Sequence, residues 1–130
     1  MILHGRIDDK QSTMIVGQLL YLELKDSGKP IKMMINSGGG AVHSALAIHD
    51  VMKQISSPVY TSCYGHAESA AAILLSSGEK GYRCASANSR VMIHQPARNE
   101  NGKMTAANAV NRAVRTGQRV CCTPSKPHQH

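Results

Sequence analysis

Two short apolar runs, each followed by a glycine-containing turn and then by an apolar helical segment, most constrain the fold of this 130-residue chain. IKMMI (31–35) precedes the turn NSGGG (36–40), and VYTSCY (59–64) precedes a glycine and a helical segment over 69–77. Runs of this length with β-branched and aromatic residues favour strands, whereas the spacing after each turn is helical. Strands that alternate with helices predict an α/β fold with a mostly parallel sheet and flanking helices.

The flanking segments extend this alternation to most of the chain. Residues 12–25 carry an apolar stripe at helical spacing, and a second stripe runs from Val42 until the SSP segment ends it at Pro58. We further predict short strands in YRCAS (82–86) and RVMIH (90–94) and a helix from about Thr105 to Arg115. We therefore expect one domain over residues 1–115 and a basic, disordered tail over residues 116–130.

The charge distribution argues against a nucleic-acid partner. Residues 1–100 hold ten Lys or Arg and eight Asp or Glu, whereas residues 101–130 hold five Lys or Arg and no acid. The net charge of +7 thus belongs largely to residues 101–130, which include no aromatic residue to stack on a base. No run approaches the roughly 20 apolar residues that span a bilayer, so we expect no membrane partner either.

The cysteines and the first residues bear on compartment and metal binding. Cys63, Cys84, Cys121 and Cys122 form no C-x-x-C pair, so we expect no structural metal site and favour a reducing compartment. MILHGRIDDK is neither a secretory signal nor a transit peptide, so we expect no targeting signal in this chain.

The first turn, INSGGGAV, is a candidate site for an oxyanion. Its glycines permit close backbone approach, and N–H groups near a helix start can bind an anion. A tight turn without function is the alternative. A dinucleotide site is a weaker one, because His43 stands where the third glycine of G-x-G-x-x-G belongs.

The second turn, GHAES, presents Ser69 at the start of a helix. Serine is a common N-cap, so a purely structural role is one interpretation. The other is a nucleophile, which requires a general base because the pKa of a serine hydroxyl is far too high. The chain offers His94 at the end of SRVMIHQP, and a nucleophilic pair requires Ser69 and His94 to lie close in space. The residues alone leave both interpretations open.

Several segments together resemble the proteolytic subunit of the Clp protease, the ClpP family. KPIKMMINSGGG is similar to the family's strand and INSPGG turn, GHAESAAAILLSSGEKGYR to its nucleophile segment, and NSRVMIHQP to its histidine segment. The resemblance implies a crotonase-like α/β fold whose C-terminal part is missing here, and truncation at both ends. It implies a serine endopeptidase that degrades unfolded proteins to short peptides, built from homo- or hetero-oligomeric seven-membered rings.

The resemblance also implies the partners and the compartment. An AAA+ unfoldase such as ClpX would feed the rings and use the ATP, so this subunit itself would need no cofactor and no metal. The expected location is the mitochondrial matrix, or the reducing interior of a bacterium or plastid.

Carried over residue by residue, the resemblance makes Ser69 the nucleophile and His94 the general base. The backbone N–H groups of Gly39 and Ala70 fall on the oxyanion hole. The family's triad acid lies well downstream of its histidine, and no Asp or Glu follows Glu100 here.

Other positions near the turns also depart from the family pattern. Glu68 replaces a small neutral residue, His66 replaces glutamine, and Gly38 replaces the turn proline. A catalytically impaired or silent ring subunit is therefore an alternative, and an acyl-CoA-binding crotonase relative is a second one.

Overall fold

The computed structural model describes residues 1–94, which form five strands and three helices. In chain order these are β1 (Ile2–His4), α1 (Asp9–Lys25), β2 (Ile31–Ser37), α2 (Val42–Gln54), β3 (Val59–Glu68), α3 (Ala70–Ser76), β4 (Arg83–Ala85) and β5 (Arg90–Met92). The helix expected from Thr105 to Arg115 and the tail over 116–130 lie outside the described residues.

The sheet runs in the order β1, β2, β3, β4, and all strand pairs are parallel. Strand β3 pairs with two different strands along the same edge. Its first half pairs with β4 from Thr61 to Cys63, and its last residues pair with β5 from His66 to Glu68. Each helix connects two parallel strands, as such connections require. The predicted α/β fold with a mostly parallel sheet and flanking helices is confirmed.

One face of the sheet carries the core. In β2, Ile31, Met33 and Ile35 are buried, while Lys32 and Met34 between them are exposed. The buried positions join apolar side chains from all three helices in one cluster, which is built from aliphatic, sulfur-containing and alanine side chains. Each buried Leu, Ile, Val or Met contributes on the order of 1.5–3 kcal/mol, so the sheet and helices are held mainly by this face.

Two elements are longer than the sequence pattern predicts. Helix α1 begins at Asp9 rather than at residue 12, because the carboxylate of Asp8 accepts the N–H of Gln11 at 2.8 Å and caps the helix. Strand β3 continues past residue 64 to Glu68, because β5 supplies its last residues with a parallel partner. None of the three helices in residues 1–94 is long and apolar enough to cross a membrane.

Candidate active site

The expected site residues follow three different strands of the sheet. The glycine turn follows β2, Ser69 follows β3, and His94 lies two residues beyond β5. Carboxyl ends of parallel strands meet at one edge, which is where open α/β sheets bind their ligands. The topology therefore gathers the three segments at one edge, although they are far apart in sequence.

Ser69 adopts a backbone conformation that a residue with a side chain rarely takes. Its φ is 55° and its ψ is −119°, and within residues 1–94 it is the one residue other than glycine with positive φ. Its hydroxyl makes no capping hydrogen bond to α3. Such backbone conformations cost about 1–3 kcal/mol and persist only where the surroundings enforce them. A serine on a sharp turn from strand to helix is the geometry of the nucleophile elbow, which exposes the hydroxyl.

The pairing of β3 with β5 holds this turn in place. The Ser69 N–H donates to the carbonyl of Met92 at 2.9 Å, and Glu68 and Met92 are partners in the sheet. His94 is an exposed residue two positions after that carbonyl. The backbone segments of Ser69 and His94 are thus adjacent, as a nucleophilic pair requires.

Gly39 packs directly against the turn that carries Ser69. A Cβ at this position would stand 2.7 Å from the carbonyl oxygen of Glu68 and 3.1 Å from the Cβ of Ser69. The φ of Gly39 is 90°, so both the space and the backbone conformation require glycine. The turns that follow β2 and β3 therefore form one contiguous surface.

The amide of Gly39 is engaged by a residue that the sequence analysis did not single out. The Gly39 N–H donates to Ser37 Oγ at 3.0 Å, and Ser37 Oγ donates to the carbonyl of Gly5 at 2.5 Å. At turns, a serine side chain often hydrogen-bonds to the amide two residues later in the chain. The serine directly before the three glycines of NSGGG therefore indicated that Ser37 could bind the Gly39 amide. The Gly39 N–H can donate to an oxyanion only if its hydrogen bond to Ser37 Oγ breaks.

The N–H of Ala70, the other expected oxyanion donor, lies at the start of α3. Ala70 is the first residue of α3, and a helix offers no acceptor to the N–H groups of its first turn. This amide lies 3.2 Å from where a Gly39 Cβ would stand, so it borders the same narrow space between the two turns.

A polar contact ties the far end of α3 to α2. His49 Nδ1 lies 2.7 Å from Ser77 Oγ, and Lys53 Nζ donates to the carbonyl of Ser77 at 2.9 Å. Burial and the nearby Lys53 charge lower the pKa of His49, which favours its neutral form. Because α2 begins just after the glycine turn and α3 begins at Ser69, this contact links the helices that carry the two turns.

Two further side chains, absent from the expected set, flank the glycine turn. His66 Nε2 and Glu68 Oε2 lie 3.6 Å and 3.8 Å from the position of a Cβ on Gly38. Both side chains are half-buried, and Gly38 is exposed. Within residues 1–94 no group of three or more His, Cys, Asp or Glu could hold a metal ion.

Comparisons with known proteins bear on the family and the fold. The sequence model of the Clp protease family matches residues 1–122. The crystal structure of the ClpP protease catalytic domain from Plasmodium falciparum is similar, with a TM-score of 0.70 and 39% sequence identity. The match covers 72% of this chain and 53% of that one, so this chain spans about half the length of that domain. The chain belongs to the Clp protease family.

Proposed function

We propose that this chain is a proteolytic subunit of a Clp-type serine endopeptidase, with Ser69 as the nucleophile and His94 as the general base. The observation that carries the proposal is the conformation of Ser69, which is strained and makes no capping hydrogen bond. A serine that served only as an N-cap would use its hydroxyl to bond an amide of the first turn. Strain without that bond favours a role for the hydroxyl in chemistry.

The reaction that fits these groups is acyl transfer. Ser69 Oγ attacks the scissile carbonyl carbon while its proton passes to the imidazole of His94. The tetrahedral intermediate collapses, the C–N bond breaks, and the leaving amine takes the proton from His94. Water then attacks the acyl-enzyme with His94 again as the base, which releases the acid product and restores Ser69.

The oxyanion is stabilised in two stages in this scheme. The Ala70 N–H lies at the first turn of α3 and is the donor that can act without rearrangement. The Gly39 N–H becomes a second donor when it exchanges Ser37 Oγ for the oxyanion, which is the stronger acceptor because it is charged. Removing one oxyanion donor costs on the order of 10²–10³ in kcat, so this exchange is a large factor in the rate.

The proposed substrates and partners follow from family membership. The substrates are unfolded polypeptides, and the subunit assembles with like subunits into rings that an AAA+ unfoldase supplies at the expense of ATP. The cysteine usage supports a reducing compartment such as the mitochondrial matrix or the interior of a bacterium or plastid.

A second candidate function is a ring subunit of low activity that regulates or completes the assembly of active copies. The engagement of the Gly39 amide by Ser37 favours it, because one of two expected oxyanion donors is occupied. The half-buried carboxylate of Glu68 beside Ser69 also favours it, since a negative charge there opposes a developing oxyanion.

Covalent labelling of Ser69 by a fluorophosphonate tests the proposal. We expect the purified chain to be labelled at Ser69, as read by peptide mapping, with no labelling there in Ser69→Ala and much slower labelling in His94→Ala. Ser86→Ala is the matched control, because Ser86 is an exposed serine outside the site. Labelling of Ser69 at the rate of Ser86 would refute the nucleophile assignment.

Peptide turnover distinguishes the two candidates. The peptidase proposal predicts turnover that Ser69→Ala abolishes. The regulatory candidate predicts turnover near background for this chain, with a changed activity when it is mixed with complete family subunits.

A further inference from the structure

The side chain of Glu68 borders the open space beside Gly38 in the glycine turn. Its Oε2 lies 3.8 Å from the position of a Cβ on Gly38, and the imidazole of His66 lies on the same side of the turn at 3.6 Å. Gly38 itself is exposed and has no side chain, so the turn leaves open space there. The Glu68 carboxylate and the His66 imidazole border this space.

The Glu68 carboxylate has no counter-charge in the described part of the chain. Within residues 1–94, no ion pair includes Glu68, and no residue donates a hydrogen bond to its carboxylate. Arg90 is the sheet partner of His66, yet no ion pair joins its guanidinium to Glu68. A half-buried carboxylate without a partner gains more from a cationic ligand than a fully solvated one does.

The position of Glu68 relative to Ser69 determines which part of a bound peptide it can meet. The two residues are neighbours in sequence, so their Cα atoms lie about 3.8 Å apart. A peptide whose carbonyl carbon is within reach of Ser69 Oγ brings the side chains beside its scissile bond to the same turn. Lys and Arg carry their charge on long stems that can cross the remaining distance.

We propose that Glu68 is a specificity-determining residue that selects a Lys or Arg side chain next to the scissile bond. The inference rests on the proposed function for the identity of the reacting atoms. The substrate cation neutralises the carboxylate that would otherwise oppose the oxyanion. Cationic substrates therefore gain both in binding and in the rate of attack by Ser69.

Two peptide diphenyl phosphonates that differ only in one side chain test the proposal. One carries lysine and the other norleucine on the residue bonded to phosphorus, so they match in length but differ in charge. We expect the full chain to react roughly two to five times faster with the lysine probe, the size of effect that partly exposed opposite charges produce. In Glu68→Gln we expect the two rates to become equal.

Glu79→Gln is the matched control, because Glu79 is exposed and its amide bonds the carbonyl of Val59 at the opposite end of β3. This variant should keep the preference of the wild type. A preference that survives in Glu68→Gln, or is missing from the wild type, would overturn the assignment of Glu68.

Fluorescence anisotropy separates a failure of this inference from a failure of the proposed function. Fluorescein-labelled peptides with lysine or norleucine at the same position are titrated with Ser69→Ala and with Glu68→Gln. If neither phosphonate reacts at Ser69 but the Ser69→Ala protein still binds the lysine peptide more tightly, the peptidase proposal fails and Glu68 remains a cation-selective group. Equal binding of both peptides by Ser69→Ala would refute the role of Glu68.

Discussion

Replacing Gly39 by alanine tests the packing of the glycine turn against the turn that carries Ser69. The added Cβ would stand 2.7 Å from the carbonyl oxygen of Glu68, 3.1 Å from Ser69 Cβ and 3.2 Å from the Ala70 nitrogen. Two of these three atoms belong to the backbone, so a side-chain rotation cannot relieve the overlap. The φ of 90° adds a second penalty, because alanine avoids left-handed backbone.

The two penalties can be estimated separately. Left-handed backbone costs an alanine about 1–2 kcal/mol. Overpacking against neighbours that cannot move aside costs about 1–3 kcal/mol. We therefore expect Gly39→Ala to lower the free energy of unfolding by about 2–5 kcal/mol, a large part of the stability of an ordinary domain.

Two other glycines provide matched controls. Gly81 has a φ of 85° and Gly17 lies within α1, and a Cβ at either position meets nothing within 4 Å. Gly81→Ala should therefore show only the backbone penalty of about 1–2 kcal/mol. Gly17→Ala should raise the free energy of unfolding by about 0.5–1 kcal/mol, because alanine favours the helix interior.

Urea denaturation followed by far-ultraviolet circular dichroism measures all three variants on one scale. In Gly39→Ala that is still folded without urea, labelling of Ser69 should also fall by about 10²-fold, since a shift of ~1 Å at a reacting centre has that effect. If Gly39→Ala is as stable as Gly81→Ala and labels at the wild-type rate, the close approach of the two turns is refuted.

Three further predictions concern the site and the residues that hold it in place. Ser37→Ala should lower the free energy of unfolding by about 1 kcal/mol, because hydrogen bonds are lost. The same change should speed fluorophosphonate labelling of Ser69, because the Gly39 amide loses its acceptor within the protein; slower labelling would mean that Ser37 stabilises the reactive form of the glycine turn. Asp8→Ala should lower the free energy of unfolding by about 1 kcal/mol in urea denaturation, since it removes the N-cap of α1, whereas Asp8→Asn should retain most of it. Hydrogen bonds from two serines after α2 lower the pKa of Glu23 from 4.5 to about 2. The contribution of Glu23 to the free energy of unfolding is therefore complete above pH 4.5 and is lost as the pH falls towards 2. The stability difference between wild type and Glu23→Gln should shrink over that range, and a constant difference would contradict the shift in pKa.

The class of fold and the candidate residues could be predicted from the sequence. The short apolar run over 31–35 and the helical stripes over 12–25 and after Val42 are local patterns, and they indicate the type of each element. The candidate nucleophile could be named because Ser69 stands between a strand run and a helical run. Its two interpretations stayed open because an N-cap and a nucleophile elbow share the same local sequence.

The tertiary structure alone decided how these candidates are held. The backbone conformation of Ser69 and the second partner strand of β3 both depend on segments that are distant in sequence. The hydroxyl of Ser37, for example, reaches a carbonyl 32 residues away. Periodicity shows only which face of an element is buried. Strand register and the path of each turn depend on which distant backbone groups satisfy one another's hydrogen bonds, and the folded chain alone determines that.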